Sequence, residues 1–376
     1  MRKAAAAVLV GFGVFCLVLA GMLRFYAPGA AEKTPLNTDA MSVATGPATL
    51  YNPSTGQATN FEAKATRHLR ADSAASNSNV IVFEESLCTV KVIGPTPECV
   101  DARDPQGRLL SFTTDRVADN RTTAMAVNDP KYNENVDGNT NVKHIGLSYK
   151  FPFNAEKKSY PFFDTDTNTV ATAKYQGESS LEGLTVYKFV ATIPPTSAMI
   201  SPGLPGLFSN TRTVWIEPTT GVIVKGVEHQ LRTLPDGKKV LDLTLTFDQA
   251  TVRSQAKLAD DGRSKIQLLT VIVPIIALVL GIIALLAAWL VARRNSAAVG
   301  RRRAEDRTPP PDWEPNWPGA SSDAPEAGGE ATAPTERVPN REDPYDEQAH
   351  GADPSRGEQP VEDPYRGGPA EGSSQT

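Results

Sequence analysis

Cysteine and histidine are scarce in this chain, with three and four among 376 residues. His68, His144, His229 and His350 stand far apart and form no HExxH or comparable metal-ligand spacing. No GxSxG elbow, P-loop or GxGxxG fingerprint occurs, so the motif-bearing loops of hydrolases, nucleotide hydrolases and dinucleotide enzymes are missing. Neither sign of charge dominates the middle of the chain: residues 24–265 hold 26 basic and 26 acidic side chains. A neutral segment of that size gives no reason to expect nucleic acid as a partner. The expectation is a protein that is not an enzyme and needs no cofactor or metal.

Charge is also absent from two long stretches. Residues 4–23 read AAAAVLVGFGVFCLVLAGML, and residues 266–292 form a second uncharged apolar run. Each is long enough as a helix to cross about 30 Å of hydrocarbon. Arg2 and Lys3 precede the first, while Arg293, Arg294 and Arg301 to Arg303 follow the second. Basic outer flanks predict a double-pass protein of the cell membrane with both termini in the cytoplasm. Gly29-Ala30-Ala31 offers a possible signal-peptide cleavage site, but the first run exceeds the usual apolar core of about 7–15 residues, which favours an uncleaved anchor. Phe15 stands before Cys16 where a lipoprotein signal wants a small residue. The expected organisation is a cytoplasmic N-terminus (1–3), a first span (4–23), an extracytoplasmic domain (24–265), a second span (266–292) and a cytoplasmic tail (293–376).

Cys88 and Cys99 are the two cysteines outside the spans, bracketing CTVKVIGPTPEC with a Gly94-Pro95 turn between them. In an oxidising compartment they are expected to form a structural disulfide.

The extracytoplasmic part reads as β-rich. In VLDLTLTF, Leu241, Leu243, Leu245 and Phe247 alternate with Asp242, Thr244 and Thr246, the period of a half-buried strand. NVIVFEESL, LTVYKFVATI and TRTVWIE are similarly rich in β-branched and aromatic residues. Asn52-Pro53-Ser54-Thr55-Gly56 and Glu217-Pro218-Thr219-Thr220-Gly221 share one reversal chemistry, with Pro setting φ and Gly taking the left-handed position. Asp104-Pro105-Gln106-Gly107 and Leu234-Pro235-Asp236-Gly237 are shorter versions. The fold class expected is mainly β: a large antiparallel domain, sandwich or barrel-like, between two transmembrane helices. VRSQAKLADDGRSK leads from the last strand into the second span and reads as a helix continuous with it, weakened at Gly262.

Residues 193–208, IPPTSAMISPGLPGLF, carry no charge and hold four prolines and two glycines. They read as a loop, either packed on the core or offering Ile193, Met199, Ile200, Leu204, Leu207 and Phe208 to an apolar ligand or partner. Beyond Arg303 the chain is Pro-rich and acidic with few large apolar residues, as in a disordered tail. Glu342-Asp343-Pro344-Tyr345 and Glu362-Asp363-Pro364-Tyr365 repeat within it, and Tyr345 and Tyr365 are candidate docking positions.

Asp164 and Asp166 in DTDTN miss both the phosphotransferase motif, at Asn168, and the calcium loop, at Thr169 and Tyr175, so a polar turn is expected there. Asp137-Gly138-Asn139-Thr140-Asn141 likewise reads as a turn before a cation site. Glu228 and His229, adjacent on a strand, face opposite ways and make a poor catalytic pair. Asn120-Arg121-Thr122 matches a glycosylation acceptor, relevant only in a host with that machinery.

The order of parts resembles one known family. RFYAP after the first span, SFTTDRVADNRTT, GLSYKFPFNAEKKSYPFFD, GLTVYKF and WIEPTTG before the second span are similar to the actinobacterial PorA-like membrane proteins, a domain of unknown function. The resemblance covers roughly residues 1–295. Its most specific pieces are Phe151-Pro152-Phe153 with Tyr160-Pro161-Phe162, and Trp215 with Pro218 and Gly221. It implies an envelope protein of high-GC Gram-positive bacteria and brings no catalytic residues. The function expected first is a double-anchored envelope protein that binds or moves an apolar or glycolipid component, or scaffolds envelope-assembly proteins, with membrane lipids as its surroundings. A porin-like channel subunit, which the family name suggests, and a sensor recruiting partners through its tail are the alternatives.

Overall fold

A computed structural model of the chain describes residues 2–305 other than 202. Helix α1 spans Arg2–Ala31. Eleven strands follow: β1 Asp39–Tyr51, β2 Ala58–Ala71, β3 Val80–Lys91, β4 Leu109–Asn120, β5 Asn135–Val136, β6 Tyr160–Asp164, β7 Thr169–Leu181, β8 Leu184–Ser201, β9 Leu204–Ile216, β10 Ile223–Thr233 and β11 Lys239–Phe247. Helix α2, Gln249–Gln267, runs through a π-helical turn at Leu268–Ile272 into α3, Val273–Glu305.

All eleven strands belong to one sheet in the order β5-β4-β3-β2-β1-β11-β10-β9-β8-β7-β6. Two antiparallel meanders are therefore joined where β1 pairs with β11, Ala44 opposite Phe247 and Leu50 opposite Leu241. The alternative of two stacked sheets is not what forms: within each meander every strand pairs with the next, and all lie in one continuous surface.

The sheet curls until its two edge regions approach, and the segment between β4 and β6 stitches them. Val127 N donates to Ala118 O at 2.7 Å and Ala126 N to Gly146 O at 2.9 Å. Leu147 N then donates to Pro161 O at 2.9 Å, and Phe163 N to Leu147 O at 2.8 Å. Hydrogen bonding thus passes from β4 through this strap to β6, satisfying edge groups that would otherwise be bare.

Helix α2 starts where β11 ends. Asp248 caps it by accepting from Thr251 N at 2.7 Å. Its apolar face of Val252, Ala256 and Ala259 packs on Leu184, Val186, Val224 and Trp215. Near its C-terminal end, a Cβ on Gly262 would lie 3.0 Å from the Thr220 methyl, so glycine there permits the helix to lie against the 217–221 turn. The helix does continue into the apolar run, and its π turn, with Thr270 Oγ1 donating to Ile266 O at 2.8 Å, falls just before Pro274. Proline brings no N–H to the ladder, and such a turn absorbs the missing bond.

Helices α1 and α3 pack together through small residues: Cys16 and Ala20 on one, Ala277, Ala284 and Ala288 on the other, all buried. Gly13 and Gly281 meet backbone to backbone, each Cβ position lying 3.1 Å from the other's carbonyl oxygen. Phe12, Phe15, Val18, Ile276, Leu280, Ile283 and Leu286 point outward uncovered, a surface suited to lipid.

Because α1 leads into β1 and α2 lies against β10, the ends of the strands near residues 39, 120, 217 and 223 form the helix-proximal end of the curled sheet. The turns at residues 52–57, 165–168 and 234–238 lie at the distal end.

Candidate functional site

The concave face of the sheet holds two contrasting rows side by side. Strand β11 presents Leu241, Leu243 and Leu245, and β10 presents Arg232, Gln230 and Glu228 directly opposite them in register. Same-face neighbours across an antiparallel pair sit about 5 Å apart, so a polar stripe abuts an apolar one. Ala48, Ala63, Ala65, Leu50 and Leu87 extend the apolar wall onto β1, β2 and β3. Arg212 on β9 and Arg67 on β2 extend the charged one. Between them lies a cavity of about 160 Å³, with lining residues drawn from nine of the eleven strands.

Three arginines line this cavity with different degrees of compensation. Arg67 Nε meets Glu85 at 2.8 Å, and Arg212 Nη2 meets Glu228 at 3.0 Å. Glu228 also accepts from Asn210 at 2.6 Å and Gln230 at 2.9 Å. Burial favours protonation of Glu228, but Arg212, with help from Gln230 and Arg67, outweighs it and holds the carboxyl at about 2. Arg232 reaches its carboxylate, Asp166, only at 3.7 Å. It donates to Ile200 O at 3.1 Å, and its buried Nε has no partner. Burial pushes Asp166 up to about 6 against the pull of Arg232, with Asp164 and Glu228 adding to the rise.

Toward the helix-proximal end a second polar group sits under the charged wall. Asp115 accepts from Tyr149 Oη and lies 2.7 Å from His144 Nε2, with the His and Asp side chains almost fully enclosed. Asp119, 2% exposed, has neither carboxylate oxygen hydrogen-bonded, and burial beside Asp115 and Glu134 drives it toward the neutral acid. Burial lowers Lys150 to about 7, opposed by Asp119; its ammonium lies 3.7 Å from the centre of the Phe153 ring. Below this layer the interior is filled by Phe151, Tyr160, Phe162 and Phe189, with Phe151 and Phe189 4.6 Å apart. The cavity is therefore a chamber with an aromatic floor.

The residues singled out by sequence fall in three places. Cys88 and Cys99 are bonded, Cα atoms 5.6 Å apart. Lys64 Nζ donates to Thr96 O at 2.9 Å, holding their loop onto the outer face of β2. Residues 193–201 and 204–208 are not a loop: they are the paired ends of β8 and β9, Thr196 opposite Phe208 and Ala198 opposite Gly206. Proline is tolerated because the register slips between Ile193 and Thr196, leaving Pro194 and Pro195 outside the ladder. Ile193, Ile200 and Phe208 are buried, Leu204 and Leu207 half-buried, and Met199 exposed. Ile200 lines the cavity, so this hairpin walls the chamber.

The two motif groups of the family resemblance dock on each other. Phe151 N donates to Gly221 O at 2.8 Å and Ala155 N to Pro218 O at 2.8 Å. Gly221 has φ of 73°, and a Cβ there would lie 2.0 Å from Phe151 O. Glu217 is 2% exposed and accepts from Thr219 N, Thr220 N at 2.8 Å and Thr220 Oγ1 at 2.7 Å. Asn52 builds the same turn at the distal end, accepting from Ser54 N and Thr55 N in the open. Trp215 is half-buried under α2, with Lys225 and Lys188 over its ring at 5.0 and 5.5 Å. Asp164 closes a turn by accepting from Thr167 N and Oγ1. Glu228 faces the lumen, whereas His229 faces outward to Asp242. Among the described residues no set of three or more His, Cys, Asp or Glu converges as a metal site. Tyr345 and Tyr365 lie outside the described residues.

A curled antiparallel sheet packed on α2, with a charged chamber inside, defines a mainly β protein that carries two helices long and apolar enough to cross a membrane. Residues 5–290 match the family model described as Porin PorA, and the chain belongs to that family. It is 30% identical over 192 residues to Porin PorA of Corynebacterium amycolatum, an alignment covering 39% of this chain and 49% of that protein. It is 33% identical over 112 residues to Porin PorA of Corynebacterium resistens, covering 27% of each. The chain thus spans about half or less of the length of the curated relatives it matches.

Proposed function

We propose that this chain is a porin-like subunit of the cell envelope, anchored by two membrane-spanning helices with both termini cytoplasmic, whose lumen is a charge-selective vestibule for small solutes. The observation carrying this reading is the inward row Glu228, Gln230 and Arg232, with Arg212 and Arg67 beside it, around a partly open cavity. Charged side chains ringing a narrow passage select ions by sign. The relatives' name, Porin PorA, supports the same class. The outer wall carries exposed Glu62, Arg70, Lys174 and Glu178, side chains costly on a lipid-facing barrel wall, so the sheet suits water and the helices suit lipid. Passage across the bilayer then falls to the helices of several assembled copies.

Planar-bilayer recordings on the full-length protein test this. Reproducible current steps are expected, with the anion-to-cation preference lowered by Arg232→Glu. Silence, or steps unchanged in both Arg232→Glu and the lumen-filling Leu243→Trp, would sink the vestibule.

A second reading is favoured by the leucine row on β11. The lumen then holds a small amphipathic envelope component, with its apolar end on Leu241 and Leu243. At about 160 Å³ the cavity has room for roughly five waters' volume, which admits one end of a glycolipid and excludes the whole molecule. Native mass spectrometry of the full chain released from membranes tests it, and a protein carrying no small amphiphile would count against it.

A further inference from the structure

We propose that the cavity is a binding site for a short aliphatic carboxylate, its head on the Arg232 guanidinium and its tail along Leu241, Leu243 and Leu87. This rests on the lumen acting as a chamber for an amphipathic guest and names the chemistry of that guest. Arg232 and Leu241 are direct cross-strand partners on the concave face, so charge and apolar surface adjoin within one ligand length.

Competition among the arginines selects the head position. Glu85 occupies Arg67 at 2.8 Å, and Glu228, itself holding Asn210 and Gln230, occupies Arg212 at 3.0 Å. Asp164 is already served by Thr167 N and Oγ1. Arg232 reaches a carboxylate, Asp166, only at 3.7 Å, beyond hydrogen-bonding reach; its Nη atoms donate to neutral oxygens alone, Ile200 O at 3.1 Å and Gln230 Oε1 at 3.4 Å, and its enclosed Nε lacks an acceptor. A buried donor without an acceptor is costly, and a carboxylate satisfies a guanidinium in two bonds at once. Asp166, 3.7 Å from the guanidinium, is the group such a guest displaces.

Ser201 and Ile200, at the end of β8, and Leu87 and Leu50, on β3 and β1, line the same lumen. An alcohol of the same length would reach the leucines but bring no charge. An alkylammonium would meet Arg232 with like charge. The site therefore discriminates by head group as well as by tail.

Saturation-transfer NMR with hexanoate and 1-hexanol, on the full-length protein in zwitterionic nanodiscs with empty discs as blank, tests the assignment. Hexanoate is expected to bind at least tenfold more weakly to Arg232→Gln, with Arg232→Lys between the two, while 1-hexanol binding is unchanged. Leu243→Trp, which narrows the cavity and leaves Arg232 in place, is expected to weaken both at least tenfold. If hexanoate and 1-hexanol bind alike and Arg232→Gln changes neither, the head assignment is overturned and the chamber survives. If neither ligand binds the wild-type protein, the chamber reading falls and this proposal with it.

Discussion

The two ends of the curled sheet are built from the same kinds of turn, yet one is locked and the other left open. At the helix-proximal end the Glu217 turn is buried against residues 151–155 and against α2, and aromatic rings fill the interior. At the distal end the Asn52 turn has the same hydrogen bonds in solvent, and the interior beside it is a cavity rimmed by Arg232 and Ile200. What differs is whether a second segment lies on the turn. The motifs that identify the family therefore mark the scaffold, and Arg232, the lumen arginine without a carboxylate in hydrogen-bonding reach, stands at the other end.

Substitutions at the two ends should separate accordingly. Gly221→Val combines a positive φ with a Cβ inside the Phe151 carbonyl, and is expected to remove about 4 kcal/mol or more, leaving little folded protein in urea titration of the full chain. A normal urea midpoint would break the claim that this turn is a lock. Phe151→Ala should cost about 4 kcal/mol, and Leu243→Ala, on the wall of an existing cavity, about 2 kcal/mol, both from denaturation midpoints. Equal losses would erase the difference between packed floor and open chamber.

Removing the disulfide with Cys88→Ser and Cys99→Ser frees an eleven-residue separation at the distal loop and should cost about 3 kcal/mol, read against wild type under oxidising conditions. The smallest effect expected is electrostatic. Asp166 sits at about 6 in the fold, above its ordinary 3.8, so its ionisation costs stability above pH 6, and that cost fades as pH falls toward 4. Asp166→Asn should therefore stabilise the protein by about 1 kcal/mol at pH 8 and leave it unchanged at pH 4 in thermal unfolding. A stabilisation that grows on acidification would reverse the sign and place Asp166 in a real ion pair.

Much of the fold was legible in the sequence. Period-two alternation in VLDLTLTF marked the apolar face of β11, Pro and Gly marked the reversals, and Cys88 and Cys99 found each other. The chamber was not, because alternation says that two faces differ and not which one points inward. In GVEHQLRT, Glu228, Gln230 and Arg232 look like a wet face, yet they point to the lumen, as a sheet curled around a polar interior allows. The apolar stretch 193–208 misled for a related reason: its prolines suggested a loop, while register slips let a hairpin carry them. Glu217 was read as part of a corner, and nothing local showed that a distant segment would bury it.

The pairing of β1 with β11 sets the order in which the molecule can be made. Ala44 must wait for Phe247 before the two meanders become one sheet, and no earlier strand takes that place. Contacts between such distant parts of a chain form slowly. Until β11 emerges, β1 presents a bare edge directly beside the first apolar helix, a period in which a chaperone or a neighbouring nascent copy has its best access to the chain.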